Sequence, residues 1–212
     1  MKWMPLVLCV LCIGAQAAFS GDTDSRIIYT KSFPGSSPAY VSITVERNGD
    51  VAYKEAVDDD PEKFQLEPTG TEVMFDLAAR LDHFKHPLES GLKVANMGVK
   101  TFRWEDGDAS SEQKFNYSLD DNAKALHDWF EAITETERLF AELKRSARHD
   151  KLGVHDALIH IEQTWQQRRL TGADQFLPLL DQIAQNEIYL HMARQRAAML
   201  GEAIRASKAK SQ

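Results

Sequence analysis

Cysteine is nearly absent from this chain: of 212 residues only Cys9 and Cys12 carry a thiol, and both fall in the first twenty positions. Downstream of them the sequence offers no disulfide framework, no cysteine nucleophile and no thiolate ligand for a structural zinc. Eleven glycines and seven prolines are too few for collagen-like or Gly/Pro-rich low-complexity sequence. Basic excess is missing as well. The formal charge of -7 argues against a general nucleic-acid binder, which needs a net positive surface to neutralise phosphates. The apolar run Pro5 to Ile13 falls well short of the roughly 20 residues a helix needs to cross the hydrocarbon core. No Gly-x-Ser-x-Gly elbow and no His-Glu-x-x-His pattern occurs, so the commonest hydrolase and metalloprotease signatures are missing.

What is present is the composition of a folded protein, with 43% hydrophobic and 27% charged residues. Lys2, the apolar run to Ile13 and the small-residue end Ala15-Gln16-Ala17 form a secretory signal peptide, with cleavage expected after Ala17. Cys9 and Cys12 have Cys-x-x-Cys spacing, but inside the targeting segment they are read as apolar filler rather than a redox pair. The expectation is an exported chain, periplasmic or secreted, without a stable membrane anchor. The mature part must then rest on core burial, having no disulfide.

The following segment divides into strands and then helices. Arg26 to Lys31 reads as a strand, and Phe33 to Pro38 as a break. Val41, Ile43 and Val45 alternate with polar residues, Asn48-Gly49 turns the chain, and Val51 and Tyr53 resume the alternation, which specifies a hairpin with one apolar face. Phe64 to Leu66 adds a short edge piece. A helix enters at Pro68 and is expected to reach about His83, with Val73, Leu77, Leu81 and Phe84 on its apolar side, stopping before Pro87. After a loop over 88–97, Lys100, Phe102 and Trp104 begin a second hairpin, Glu105 to Ser111 turns it, and Phe115 and Tyr117 return.

From Asp121 a stripe of Leu126, Trp129, Ile133, Thr136, Phe140, Leu143 and Ala147 has the helical period over many turns, with Asp120 or Asp121 as N-cap. Shorter helical segments follow around Leu158 to Trp165 and Phe176 to Ile183, and a last helix is expected from about Glu187 to Ala206. The fold class is therefore α+β: an antiparallel sheet of about four to six strands covered by helices, followed by a C-terminal helical segment. Residues 1–17 are the signal peptide, 18–147 the sheet domain with its long covering helix, and 148–212 the helical region. Charge separates the two: 18–143 carries 13 Lys/Arg against 25 Asp/Glu, a balance of -12, and 144–212 carries 11 against 7, a balance of +4.

Few side chains suggest chemistry. His83 and His86 lie three apart, with Asp82 or Glu89 as an oxygen ligand, and this is the candidate metal group. Pro87 disturbs helical geometry there, and exposed histidines at a helix C-terminus are the commoner arrangement. The runs Asp58-Asp59-Asp60 with Glu62, and Asp106-Gly107-Asp108, are oxygen-rich but lack the spacing of a known calcium loop. No catalytic residue and no cofactor is assigned. Phe102, Trp104, Phe115 and Tyr117 are expected on the sheet's core face.

The stretch from Pro34 to Tyr53, with its Pro-x-Tyr, alternating strand, Asn-Gly turn and Val-x-Tyr return, resembles the opening hairpin of a family of uncharacterised exported bacterial α+β domains; Asn96 to Thr101 and Phe115 to Tyr117 are similar too. The resemblance covers about residues 27–145, lacks the cysteine some relatives carry before the proline, and implies export and a fold but no activity. The sequence thus points to a non-catalytic binding or protein-interaction module of the bacterial envelope, with an unknown protein partner or self-association. The alternative is a metal-dependent envelope enzyme using His83 and His86.

Overall fold

The computed structural model of the protein describes residues 25–211; the segment read above as a signal peptide, both cysteines and most of the small polar stretch after them lie outside the described residues. Six strands form one antiparallel sheet: β1 (Arg26–Ser32), β2 (Tyr40–Glu46), β3 (Asp50–Lys54), β4 (Glu62–Gln65), β5 (Val99–Asp106) and β6 (Ala109–Phe115), in the order β4-β3-β2-β1-β5-β6. Among the described residues are five α-helices: α1 (Pro68–Arg80), inserted between β4 and β5, and then, after the last strand, α2 (Asp121–His149), α3 (Val154–Gln166), α4 (Leu177–Gln185) and α5 (His191–Ser211). The architecture is α+β.

Register turns the alternation of each strand into continuous apolar rows. Ile27 pairs with Val45 and Trp104, and Val45 with Val51, which pairs with Phe64; in the next row Tyr29 pairs with Ile43 and Phe102. A side chain period of two puts every member of these rows on one face. That face is covered by α1 and the first half of α2, whose Met74, Phe75, Leu126, Phe130 and Ile133 are buried against it. Phe130 stacks on Tyr29 with ring centroids 4.6 Å apart. The opposite face, through Ile28, Thr30, Ser42, Thr44 and Ala52, stays half-exposed. Gly49, at φ +91°, takes the left-handed position that closes the β2–β3 turn.

A second core is wholly helical. Leu143 and Ala147 of α2 pack with Leu158, Ile161, Phe176, Leu180, Ile183, Ala197, Leu200 and Ile204. The long helix α2 therefore belongs to both cores, its first turns to the sheet and its last turns to the bundle. Asp120 caps its start, accepting from the backbone N–H of Asn122 and Ala123.

Four local expectations change. The helix at Pro68 ends at Arg80, and Asp82, His83 and Phe84 take positive φ of 47°, 51° and 62°, a left-handed turn. This reversal returns Phe84 to the core, fully buried with its ring 5.2 Å from Phe102. The buried side of α1 is also shifted: Met74, Phe75, Leu77 and Ala78 face inward and Val73 is exposed. The second hairpin turns tightly at Gly107-Asp108, so Ala109 to Ser111 are strand, an edge strand whose solvent side can be polar throughout. The last helix begins at His191, because Asn186 holds a turn, its Oδ1 accepting from Ile188 N–H and its C=O from Tyr189 N–H.

Candidate functional site

The expected metal group is divided. His86 Nε2 lies 3.2 Å from Asp82 Oδ2, but the left-handed turn carries the His83 ring away, onto Trp104 at 4.3 Å between centroids. The His83 carbonyl accepts from the Ser111 hydroxyl. Lys85 donates to Asp82 at 3.2 Å and holds that exposed carboxyl below the usual carboxylate range. Glu89 lines the same recess as Asp82 and His86, with its carboxylate engaged by the Asn116 backbone N–H at 2.6 Å. Among the described residues no group of three or more His, Cys, Asp or Glu is placed to hold a metal ion.

The structure instead gathers polar groups in two places along α2. The first is Glu131, over the end of β1. Its carboxylate accepts from Lys31 Nζ at 2.9 and 3.0 Å and from the Tyr29 hydroxyl at 3.2 Å. His127 Nε2 stands 3.3 Å from it, close enough for attraction without hydrogen-bond geometry. Partial burial alone would raise this carboxyl; His127 and Lys31 outweigh burial and bring it down to about 2. Burial and the neighbouring carboxylate push the Tyr29 phenol well up. A carboxylate so strongly ionised is a poor base, and a phenol so firmly protonated is a poor nucleophile. The cluster docks α2 on the sheet.

Beside it, Lys100 projects from β5 into the core face, where alternation from Phe102 and Trp104 places it, and its Nζ donates to the Asn116 carbonyl at 2.8 Å. Burial and then Lys31 lower its ammonium.

The second place is the seam between sheet and bundle. Glu67, the residue before α1, accepts from the backbone N–H of Gly172 and Ala173, each at 3.3 Å, at the start of the 3-10 turn leading into α4. Two orphan donors of that turn are thereby satisfied by a residue of the other half. Gly172 has φ +56°, and a Cβ there would stand 2.6 Å from the Phe64 ring, so only glycine permits this approach. Buried Thr136 of α2 accepts from Thr171 N–H at 3.1 Å. Two ion pairs add to this, Lys144 to Glu62 at 3.0 Å and Arg169 to Glu135 at 2.9 Å.

Two recesses flank these contacts. A cleft of about 370 Å³ lies between Leu66 and Pro68 on the sheet side and Trp165 and Ile204 on the helical side, with Asn48, Gln65, Asp174 and Lys208 at its margin. On the other side, a cavity of about 360 Å³ is lined by Tyr53, Lys54, Glu55, Asp59, Asp60, Glu62, Glu137, Ala141 and Lys144. Glu137 is only 5% exposed, and its Oε1 accepts from Gln175 Nε2 at 2.8 Å. Desolvation dominates and pushes its carboxyl up to about 7, with Glu62 and Glu55 adding to the rise and Gln175 and Lys144 opposing it.

The seam was not legible in the sequence. Glu67 and Glu137 sit among many carboxylates, and only the fold places one on free N–H groups and the other out of water. No helix among the described residues is long and apolar enough to cross a membrane. No protein-family model matches the chain, and no curated protein matches it.

Proposed function

We propose that the protein is an exported, non-catalytic binding module of the bacterial envelope that meets its ligand or protein partner at the seam between sheet and bundle. The observation that carries this reading is the Trp165 cleft. At about 370 Å³ it is in the size range of small-ligand sites, and it offers an indole, Leu66, Pro68 and Ile204 as apolar walls with two amides at the rim. Its charged groups are already engaged: Glu67 on backbone N–H groups, and Asp174 with Lys208. Export is supported by the targeting pattern of residues 1–17.

The test has two arms. Expression of the tagged full-length chain in a Gram-negative host, followed by fractionation and intact mass, is expected to give a periplasmic or secreted product beginning at Ala18; a cytoplasmic product retaining residues 1–17 removes the export reading. A thermal-shift screen of metabolites and envelope peptides against the wild type and Trp165→Ala is expected to give hits that the variant loses. Hits that Trp165→Ala retains in full place binding elsewhere.

A further inference from the structure

The helical bundle has an end that faces away from the seam. α3 and α5 both begin there and run back to the Trp165 cleft, to which they contribute Trp165 and Ile204, while α2 and α4 finish there. Two loops close this end, residues 150–153 between α2 and α3 and residues 186–190 between α4 and α5. They meet across the Ala147 carbonyl, which accepts from the Tyr189 hydroxyl at 3.2 Å and also from Lys151 Nζ. The same ammonium stands 5.0 Å from the centre of the Tyr189 ring.

Each loop is held by its own hydrogen bonds. Asp150 Oδ1 accepts from Gly153 N–H at 3.0 Å, and Asn186 Oδ1 from Ile188 N–H at 3.1 Å. Tyr189 is buried, but the apolar side chains round it are turned out: Leu152 is 69% exposed, Ile188 60%, Met192 56% and Leu190 43%. Apolar residues scattered singly are normal on any surface, whereas several large ones gathered at one end mark a contact.

Charge is arranged to match. Toward the seam the cations of the bundle are paired with acids, Lys144 with Glu62, Arg169 with Glu135, Arg205 with Asp181 and Lys208 with Asp174. At the far end Arg145, Arg148, Lys151 and Arg194 have no ion pair among the described residues, and the acids beside them are Asp150, Asp156 and Glu187, four charges against three. Asp150 is already turned to Gly153. The acidic recess at Glu137 lies about 18 Å back along α2 from His149, about two screening lengths at physiological salt. An anionic surface that would repel the acidic sheet part can therefore approach this end. Protruding apolar side chains backed by Arg and Lys suit a lipid interface, because the acyl boundary takes them without a shaped counterpart and the phosphates meet the cations.

We propose that loops 150–153 and 186–190 dock the protein reversibly on an anionic phospholipid bilayer, with Leu152, Ile188, Leu190 and Met192 entering the interface and Arg148 and Lys151 at the headgroup phosphates. The contact needs no spanning helix. It leaves the Trp165 cleft on the side away from the lipid, so it does not depend on what binds there.

Flotation with extruded vesicles tests it. Both cores lie within residues 27–204, so the chain from Ala18 on carries the whole fold and keeps the apolar run Pro5 to Ile13 out of the assay. The protein is expected to float with vesicles of equal phosphatidylglycerol and phosphatidylethanolamine, and far less with phosphatidylcholine. Joint substitution Leu152→Asp and Ile188→Asp should lower the partition coefficient at least about tenfold, and Arg148→Glu about fivefold. Val57→Asp, at a residue of the sheet part as exposed as Leu152, should leave it unchanged. Urea midpoints equal to that of the wild type show that the variants fold. The proposal is overturned if the wild type fails to float at millimolar anionic lipid, if it binds phosphatidylcholine equally, or if the folded double variant or Arg148→Glu floats as the wild type does. Failure to float together with an oligomer in light scattering that the double variant dissolves assigns this end to a second copy of the chain and overturns it too.

Discussion

Glu131 and Glu137 stand on one helix less than two turns apart, and the fold sends their carboxyls in opposite directions, one down to about 2 and the other up to about 7. Both lose water on folding. Glu131 meets an ammonium, a phenol and an imidazole from β1 and α2. Glu137 meets one neutral amide and a recess lined mostly by other acids, its nearby Lys144 paired with Glu62. Burial by itself raises a carboxyl, and the direction reverses only where neighbours outweigh it, as His127 and Lys31 do at Glu131 and Gln175 and Lys144 do not at Glu137. The first glutamate fastens α2 to the sheet; the second, at the seam, is a weak point in the same helix.

That contrast can be broken at its strong end first. Glu131→Ala leaves Lys31 and the Tyr29 hydroxyl without their acceptor and is expected to cost about 2–4 kcal/mol at pH 7, discounted for the partial exposure of the pair. Because the folded carboxyl lies below its ordinary value near 4.5, its stabilisation is present above that pH and fades as pH falls toward about 2. Urea denaturation of wild type and variant should therefore converge on acidification; a gap as wide at pH 3 as at pH 7 speaks against the ionic account.

At the weak end the sign reverses. Glu137 is raised from 4.5 to about 7, so its ionisation takes stability away as pH rises through that window. Glu137→Gln is expected to match the wild type near pH 4 and to exceed it by about 1–3 kcal/mol at pH 8, since a shift of one unit is worth about 1.4 kcal/mol. A variant less stable than wild type at pH 8 would mean that the ionised carboxyl is matched by a cation already held in the fold.

The smallest effect tests whether the seam is a joint of its own. Glu67→Ala removes the acceptor shared by Gly172 and Ala173 N–H and is expected to cost about 1 kcal/mol, the usual scale for a lost helix-start cap. Hydrogen exchange should quicken at those two amides while β1 and β2 keep their protection. Equal loosening of the sheet amides would show that the halves open as one unit.

The charge asymmetry reads differently once these contacts are known. The acidic first part and basic second part face each other through Lys144 and Glu62, and through Arg169 and Glu135, so part of that imbalance joins the two halves rather than awaiting a partner. Near-surface pairs of this kind add little to stability, and orientation is the larger consequence.

Local patterns were enough for most of the sheet. Val41, Ile43, Val45, Val51 and Tyr53 alternate because one face is buried, and the period of two shows that face before any contact is known. The helical stripe of α2 was equally legible through Leu126, Ile133 and Leu143, although Phe130, at the centre of the sheet core, is missing from it because two cores claim different sides of one long helix. The β6 edge strand misled for the opposite reason: Ser110, Glu112 and Lys114 need bury nothing, so no apolar alternation marks them.

The sequence by itself determined the order of strands and helices, the apolar faces, the charge division and the absence of thiols beyond Cys12, all of which depend on residue type and short-range period. Tertiary structure alone decided which carboxylates matter. Glu67, Glu131 and Glu137 are chemically alike in the chain, and they differ only in what strands and helices from far along the sequence bring to them: two free N–H groups, an ammonium, or a recess walled by other acids. Electrostatic energy depends on distance and desolvation, and neither exists until the chain has folded.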